Sequence, residues 1–192
     1  FVCARGVWCA DVVRIRLVGS VGCVEETGPD GSRGAGFGLA IQAYQKRGAP
    51  MVDWTARLAR KYDRKFFVRL VKGAYWDTEI KLSQVGGFKD FPVFTRKLAT
   101  DVSYLACAEK MLASDDAIYP AFATHNAYTI GAIKALAGNK PLEFQRPHGM
   151  GEDIYGALAQ REGSERTCLL YPPHAADEPR AVDRQCQRTQ PT

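Results

Sequence analysis

The residue types best suited to chemistry gather in one stretch, "FVRLVKGAYWD", Phe67 to Asp77. Its first half reads as a strand, yet it carries Arg69 and Lys72 and then breaks at Gly73. A strand covered on both faces is nearly continuous in apolar residues, and an unpaired buried cation is costly. Both basic side chains therefore require an anionic or strongly polar partner. Other polar residues close similar apolar runs: Gln42 in "FGLAIQAY", Thr124, His125 and Asn126 after "AIYPAFA", and His148 with Gly149 after "LEFQRP". In parallel α/β architectures ligands collect where strands end and helices begin, which puts all of these residues along one rim. Two basic side chains, two histidines and a glycine that admits close backbone approach suit a phosphate-bearing cofactor. Tyr75 and Trp76, just beyond, are placed to stack on a planar ring or to wall a pocket.

Each feature also has a plainer explanation. Lys72 can be a surface lysine past a strand end, and His125 can simply begin the next helix. Arg69 is harder to dismiss, because its position inside an apolar run leaves it few routes to water. The chain has no GxGxxG, no Walker-type GxxxxGK[ST] and no HExxH, which argues against Rossmann nucleotide binding, P-loop phosphate binding and zinc hydrolysis. No metal site is expected.

The elements that must position these residues alternate. Strand-like runs fall at Phe37 to Tyr44, Lys65 to Gly73, Ala117 to His125, Leu142 to His148 and Thr167 to Tyr171. Between them, apolar residues recur at helical steps: Met51, Trp54, Leu58 and Tyr62; then Leu98, Val102, Leu105 and Leu112; then Ile130, Ile133, Leu136 and Ala137. Asn126 is placed to cap the last of these helices and Gly138 to stop it. Five strands joined through helices imply a parallel sheet, either open or part of a closed barrel.

The chain has 192 residues, 46% hydrophobic and 24% charged, which is a composition for one globular core. Its net charge of +5 is spread along the sequence with no basic run, so no nucleic-acid partner is expected. The cysteines, at 3, 9, 23, 107, 168 and 186, form no CxxC pair and read as free thiols of a reducing cytoplasm. Charged residues from Arg5 to Arg16 interrupt every stretch that could act as a signal or a span. Residues 1–36 hold seven of the eighteen glycines and read as irregular, while 172–192 is proline-rich, poor in large apolar residues and reads as disordered.

Five ordered blocks, "QAYQKR", "VRLVKGAYWDTEIK", "PVFTRKLATDVSYLACA", "IYPAFATHNA" and "HGMGE", resemble the proline dehydrogenase domain of bacterial bifunctional proline-utilisation proteins. The resemblance covers residues 37–171. It implies an α/β fold, a partial (β/α)8 TIM-type barrel with about five of the eight strands, those of the barrel's C-terminal part. It further implies FAD as cofactor, L-proline as substrate, Δ1-pyrroline-5-carboxylate as product and a membrane quinone as electron acceptor. The family's bifunctional members carry a separate aldehyde dehydrogenase domain. A cytoplasmic location follows, at most peripheral at the inner membrane face.

By the same resemblance, Arg69 lies against the flavin near its reactive nitrogen, and Val71, Lys72, Gly73, Ala74 and Trp76 surround the cofactor. Gln42 bonds the ring edge, while Thr124, His125 and Asn126 meet the ribityl and phosphate portion. Leu70 and Tyr75 face the substrate pocket and Tyr171 closes it, with Arg69 and Tyr75 the catalytic pair.

The sequence also departs from the family pattern. No Arg-Arg-x-x-Glu follows Tyr171; Arg180 and Arg184 have the wrong spacing, and Pro147 replaces an apolar residue before "HGMGE". Loss of the bidentate arginine pair weakens carboxylate binding on the order of a thousandfold. Both flanks read as out-of-frame or mis-annotated translation. The competing expectation is a non-catalytic remnant without cofactor; an aldolase-like phosphate-binding barrel is disfavoured by the lack of a mid-strand Schiff-base lysine with an acid partner.

Overall fold

The computed structural model describes residues 22–25, 37–147, 150–162 and 167–170, with side chains over 39–146 and 150–158. Six strands form one sheet: β1 (Gly22–Glu25), β2 (Phe37–Gln42), β3 (Phe66–Val71), β4 (Ile118–Ala123), β5 (Glu143–Pro147) and β6 (Thr167–Leu170). Their spatial order follows the chain, and β2 to β6 are all parallel. The helices are α1 (Gly48–Lys61), α2 (Trp76–Val85), α3 (Lys97–Ala113), α4 (Ala127–Ala137) and α5 (Glu152–Glu162). The result is an α/β fold around a parallel sheet, as the alternating sequence pattern predicts. One strand is added: β1 pairs antiparallel with β2, inside the segment that composition reads as irregular. Residues 172–192 lie outside the described residues.

All five predicted strands form, and each stops one or two residues before its predicted C-terminal end. There the chain leaves the sheet to turn, so the rim residues sit just past the last ladder bonds. Period-two alternation then gives the sheet two unlike faces. On β3, Phe66, Val68 and Leu70 are buried while Phe67, Arg69 and Val71 are half-buried. The first set joins Ile41, Ile118, Phe122 and Phe144 in the core beneath the helices.

The helices pack on this core with faces that differ from the expected stripes. In α3 the buried positions are Thr100, Tyr104, Cys107, Ala108, Met111 and Leu112, whereas Leu98 and Val102 are 78% and 70% exposed. In α1 the buried positions are Gly48, Val52, Thr55, Ala56 and Ala59; Met51 and Leu58 only flank the core, and Tyr62 is exposed. Small residues let a helix axis approach a sheet closely, and Ala56, Ala59 and Ala108 lie on the inward faces, in α3 beside the large buried Tyr104 and Met111. In α4, Ile130, Ile133 and Ala137 are buried as expected, but Leu136 is not. No helix among the described residues is long and apolar enough to cross a membrane.

These faces predict opposite outcomes for similar truncations. Met111→Ala should cost about 2–5 kcal/mol, whereas Leu98→Ala should change stability by no more than about 0.5 kcal/mol. Urea unfolding followed by circular dichroism measures both, and a larger loss at Leu98 would contradict the assigned face.

Candidate active site

Register fixes which side chains share the face turned away from the helices. Arg69 of β3 lies beside Ala40 of β2 and Ala121 of β4, and Ala121 lies beside Glu143 of β5. One row nearer the strand ends come Gln42, Val71, Ala123 and Gln145. One row below Arg69, the Phe67 and Tyr119 rings stack at 5.8 Å. Two alanines thus flank the one arginine, and an acidic side chain occupies its row two strands away.

Above these rows the rim is held by specific bonds. Ala43 and Tyr44 N–H groups donate to Val71 and Lys72 carbonyls, both at 2.8 Å, which extends the contact between the ends of β2 and β3. Gln42, buried, accepts from the Ala74 N–H with its Oε1 at 3.3 Å. Gly73 takes φ +145°, and a Cβ there would overlap the Tyr44 ring. The segment before α3 locks onto the same loop through Lys46 N–H to Pro92 O, Phe94 N–H to Tyr44 O and the Lys46–Asp90 ion pair. Trp76, at the start of α2, donates its indole N–H to Phe94 O at 2.8 Å.

Lys72 finds the partner that its position requires. Its Nζ lies 2.5 Å from Asp101 Oδ1 on α3 and 5.9 Å from the Tyr104 ring centroid. The Lys72 hydrogen bond, opposed by partial burial, holds the Asp101 carboxyl below its ordinary range, with Lys97 adding a smaller effect. Asp101 lies in a helical run where nothing in the sequence links it to Lys72.

Two buried tyrosines brace the end of β4. The Tyr104 hydroxyl reaches Leu70 O at 3.3 Å and Ala123 O at 3.5 Å, and Tyr155 of α5 donates to Thr124 O at 2.5 Å. Burial pushes the Tyr104 phenol well above its usual range, so it remains a hydrogen-bond donor. Thr124 is itself buried and its Oγ1 accepts from the Asn126 N–H at 3.2 Å. Asn126 caps α4, its Oδ1 accepting from the Thr129 N–H at 3.0 Å, and Gly138 ends that helix at φ +56°. Exposed His125 lies against Gly151, where a Cβ would come within 3.2 Å of the His125 Cβ. The turn after β4 and the start of the segment leading into α5 are therefore neighbours at Gly151.

Of the residues expected to form the site, Gln42, Arg69, Val71, Lys72, Gly73, Ala74, Thr124, His125 and Asn126 come together at the ends of three adjacent strands. Tyr75 and Trp76 follow at the start of α2, the first exposed and the second bonded to Phe94. Leu70 is not with them: it is fully buried among the helix-facing core residues, because it alternates with Arg69 along β3. Tyr171, His148, Gly149, Arg180 and Arg184 lie outside the described residues. Sequence reading missed Glu143 and Gln145, although two polar residues alternating with Phe144 inside a buried strand carry the same signal as Arg69.

A parallel sheet whose strand ends gather cations, amides and a helix N-cap defines an α/β protein with a candidate site at its C-terminal rim. The chain belongs to the proline dehydrogenase family, whose profile matches residues 25–179. It is similar to the bifunctional protein PutA of Escherichia coli, 49% identical over 150 residues, covering 74% of this chain and 11% of that protein. The PutA protein of Rhizobium meliloti is 46% identical over 147 residues, with 74% and 12% covered. Among solved structures, proline utilization A with proline bound in remote sites matches at 53% identity and TM-score 0.67, covering 70% of this chain and 14% of that one. A Bradyrhizobium japonicum proline utilization A mutant matches at 51% and TM-score 0.69, covering 76% and 15%. The chain thus spans little more than a tenth of the length of these two curated relatives.

The rim bonds give two predictions. Gly73→Ala forces a side chain into the positive-φ region and into Tyr44, so it should lose about 1–3 kcal/mol from the backbone alone and more from the overlap. Adding Tyr44→Ala should recover only the overlap part in a thermal-unfolding measurement. Asp101→Asn should lower the melting temperature at neutral pH. A lowered folded pKa stabilises above the unfolded value near 3.8 and stops doing so as pH falls through the folded value, so wild type and variant should converge in acid. A gap that persists below that range would rule out the Lys72–Asp101 pair as its source.

Proposed function

We propose that the chain carries the cofactor-facing part of a flavin-dependent proline dehydrogenase, oxidising L-proline to Δ1-pyrroline-5-carboxylate with a quinone as final acceptor. In this reading β2 to β6 are five strands of a (β/α)8 barrel, and the enzyme extends beyond this chain to an aldehyde dehydrogenase domain, as in bifunctional relatives. The observation that carries it is the meeting, on adjacent parallel strands, of the Arg69–Ala74 turn with Thr124–Asn126 in a chain of this family.

The residues present fit FAD. Arg69 offers a donor from a half-buried face, Lys72, its charge paired with Asp101, fixes the turn at the rim, and the Thr124–Asn126 turn leads into the N-terminus of a capped helix, favourable for anionic groups. Bound there, the flavin would accept hydride from the carbon next to proline's nitrogen. The chain's own part is to hold, orient and exclude water: Val71 and Ala123 supply an apolar floor, Gln42 a buried amide at its edge and Gly73 a turn against Tyr44. Tyr75, exposed at the start of α2, is available to the substrate side. The Arg-Arg-x-x-Glu motif is absent after Tyr171, so carboxylate recognition is weak and turnover by this chain is slow or nil.

The absorption spectrum of the purified chain, incubated with FAD and desalted, tests this. Retained flavin that dithionite reduces but L-proline leaves oxidised is the expected result. Arg69→Met should weaken retention and make reduction less favourable, because it removes the donor placed to stabilise reduced flavin. Absence of retained flavin would favour the non-catalytic reading.

A further inference from the structure

Gln145 is the fully buried polar residue of the strands' inner face, and none of the roles above uses it. Its Nε2 donates to Glu143 Oε1 at 2.8 Å. That bond fixes the amide, since the reverse orientation would set two oxygens against each other. The Oε1 is thereby turned away from Glu143, and it is buried with no hydrogen-bond donor among the described residues. Buried acceptors are nearly always satisfied, and an orphan inside a candidate site marks a place where a ligand completes the bonding.

The surroundings narrow the kind of ligand. Gln145 shares a row with Ala123, Val71 and Gln42, and the row continues to Cys168 of β6. From Gln42 to Gln145 it covers three inter-strand steps, about 14 Å along the sheet, with Val71 and Ala123 between the two amides. The Gln42 oxygen is already occupied by the Ala74 N–H. A flat, largely apolar ring with polar edges matches such a floor, and it must present a donor at the Gln145 end.

We propose that Gln145 is a flavin-binding residue whose Oε1 accepts a hydrogen bond from a ring N–H of the isoalloxazine. This deepens the flavin-dependent reading above and rests on it. Two ring positions share that chemistry: the N3–H, present in both oxidation states, and the N5–H, present only in reduced flavin. Glu143, by holding the amide, sets which atom faces the ring.

The test compares the unaltered chain with Gln145→Leu and with Gln145→Met, which keeps the side-chain length if leucine packs poorly. FAD affinity is read by quenching of flavin fluorescence, the midpoint potential by dye-coupled titration and folding by thermal unfolding. If N3–H is the donor, both variants should bind oxidised FAD at least about tenfold more weakly, and 3-methyl-FAD should lose a similar factor on the unaltered chain but not on the variants. If N5–H is the donor, oxidised FAD should bind as before and the potential should fall by about 30 mV for each tenfold loss in affinity for the reduced form. Either result supports the assignment. Folded variants with unchanged affinity and potential, together with equal binding of FAD and 3-methyl-FAD by the unaltered chain, would overturn it. Failure of the unaltered chain to bind FAD at all would instead overturn the flavin reading on which it rests.

Discussion

One arginine in the middle of a parallel strand is the constraint on which the rest of the structure depends. Arg69 keeps its charge under all ordinary conditions, so its row has to make room for it and the opposite face has to stay dry. Ala40 and Ala121 make the room, each contributing only a methyl group beside it, and Glu143 places a carboxylate in the same row. On the helix side, Phe66, Val68 and Leu70 remain fully apolar against Ile41, Phe122 and Phe144. A register slip of one residue would drive Arg69 into that core, so the charge itself helps to specify the pairing.

The rim above Arg69 is stiffened by bonds that cross between elements far apart in sequence. Tyr104 from α3 and Tyr155 from α5 spend their hydroxyls on backbone carbonyls at the strand ends. The Lys46–Asp90 pair and the Trp76–Phe94 bond tie the loop after β2 to the segment before α3. These supports lie outside the row of candidate ligand contacts but set its geometry, and a site held to within a fraction of an ångström needs such a second layer. Lys72 belongs to this layer too: from the end of β3 its ammonium turns to α3, where the pairing with Asp101 anchors that helix.

The sheet was legible because its strands are short apolar runs separated by helical periods, and those signals are local. The rim was legible for the same reason, since each run ends in residues unsuited to a covered strand. What escaped sequence reading depends on contacts distant in the chain. The inward faces of α1 and α3 were misjudged because their small residues, such as Ala56, Ala59 and Ala108, approach the sheet, while the conspicuous Leu98 and Val102 stay in solvent. The helices α2 and α5 have too few periodic apolar residues to announce themselves. Lys72 meets Asp101 across 29 residues of chain. Leu70 was assigned to the pocket by analogy, although alternation with Arg69 already placed it on the other face. Glu143 and Gln145 were readable by the logic that singled out Arg69, and were hidden only by being taken as part of a strand.

In the flavin-dependent reading proposed above, the inner face and rim of β2 to β5 form one cofactor-binding surface. Amide chemical-shift mapping of the isotope-labelled chain, titrated with FAD, tests it most directly. The largest shifts should fall at Gln42, Arg69 to Ala74, Thr124 to Asn126 and Gln145, with little change at the exposed ends of α1 and α3. Shifts confined to other surfaces, or none at saturating FAD, would contradict it.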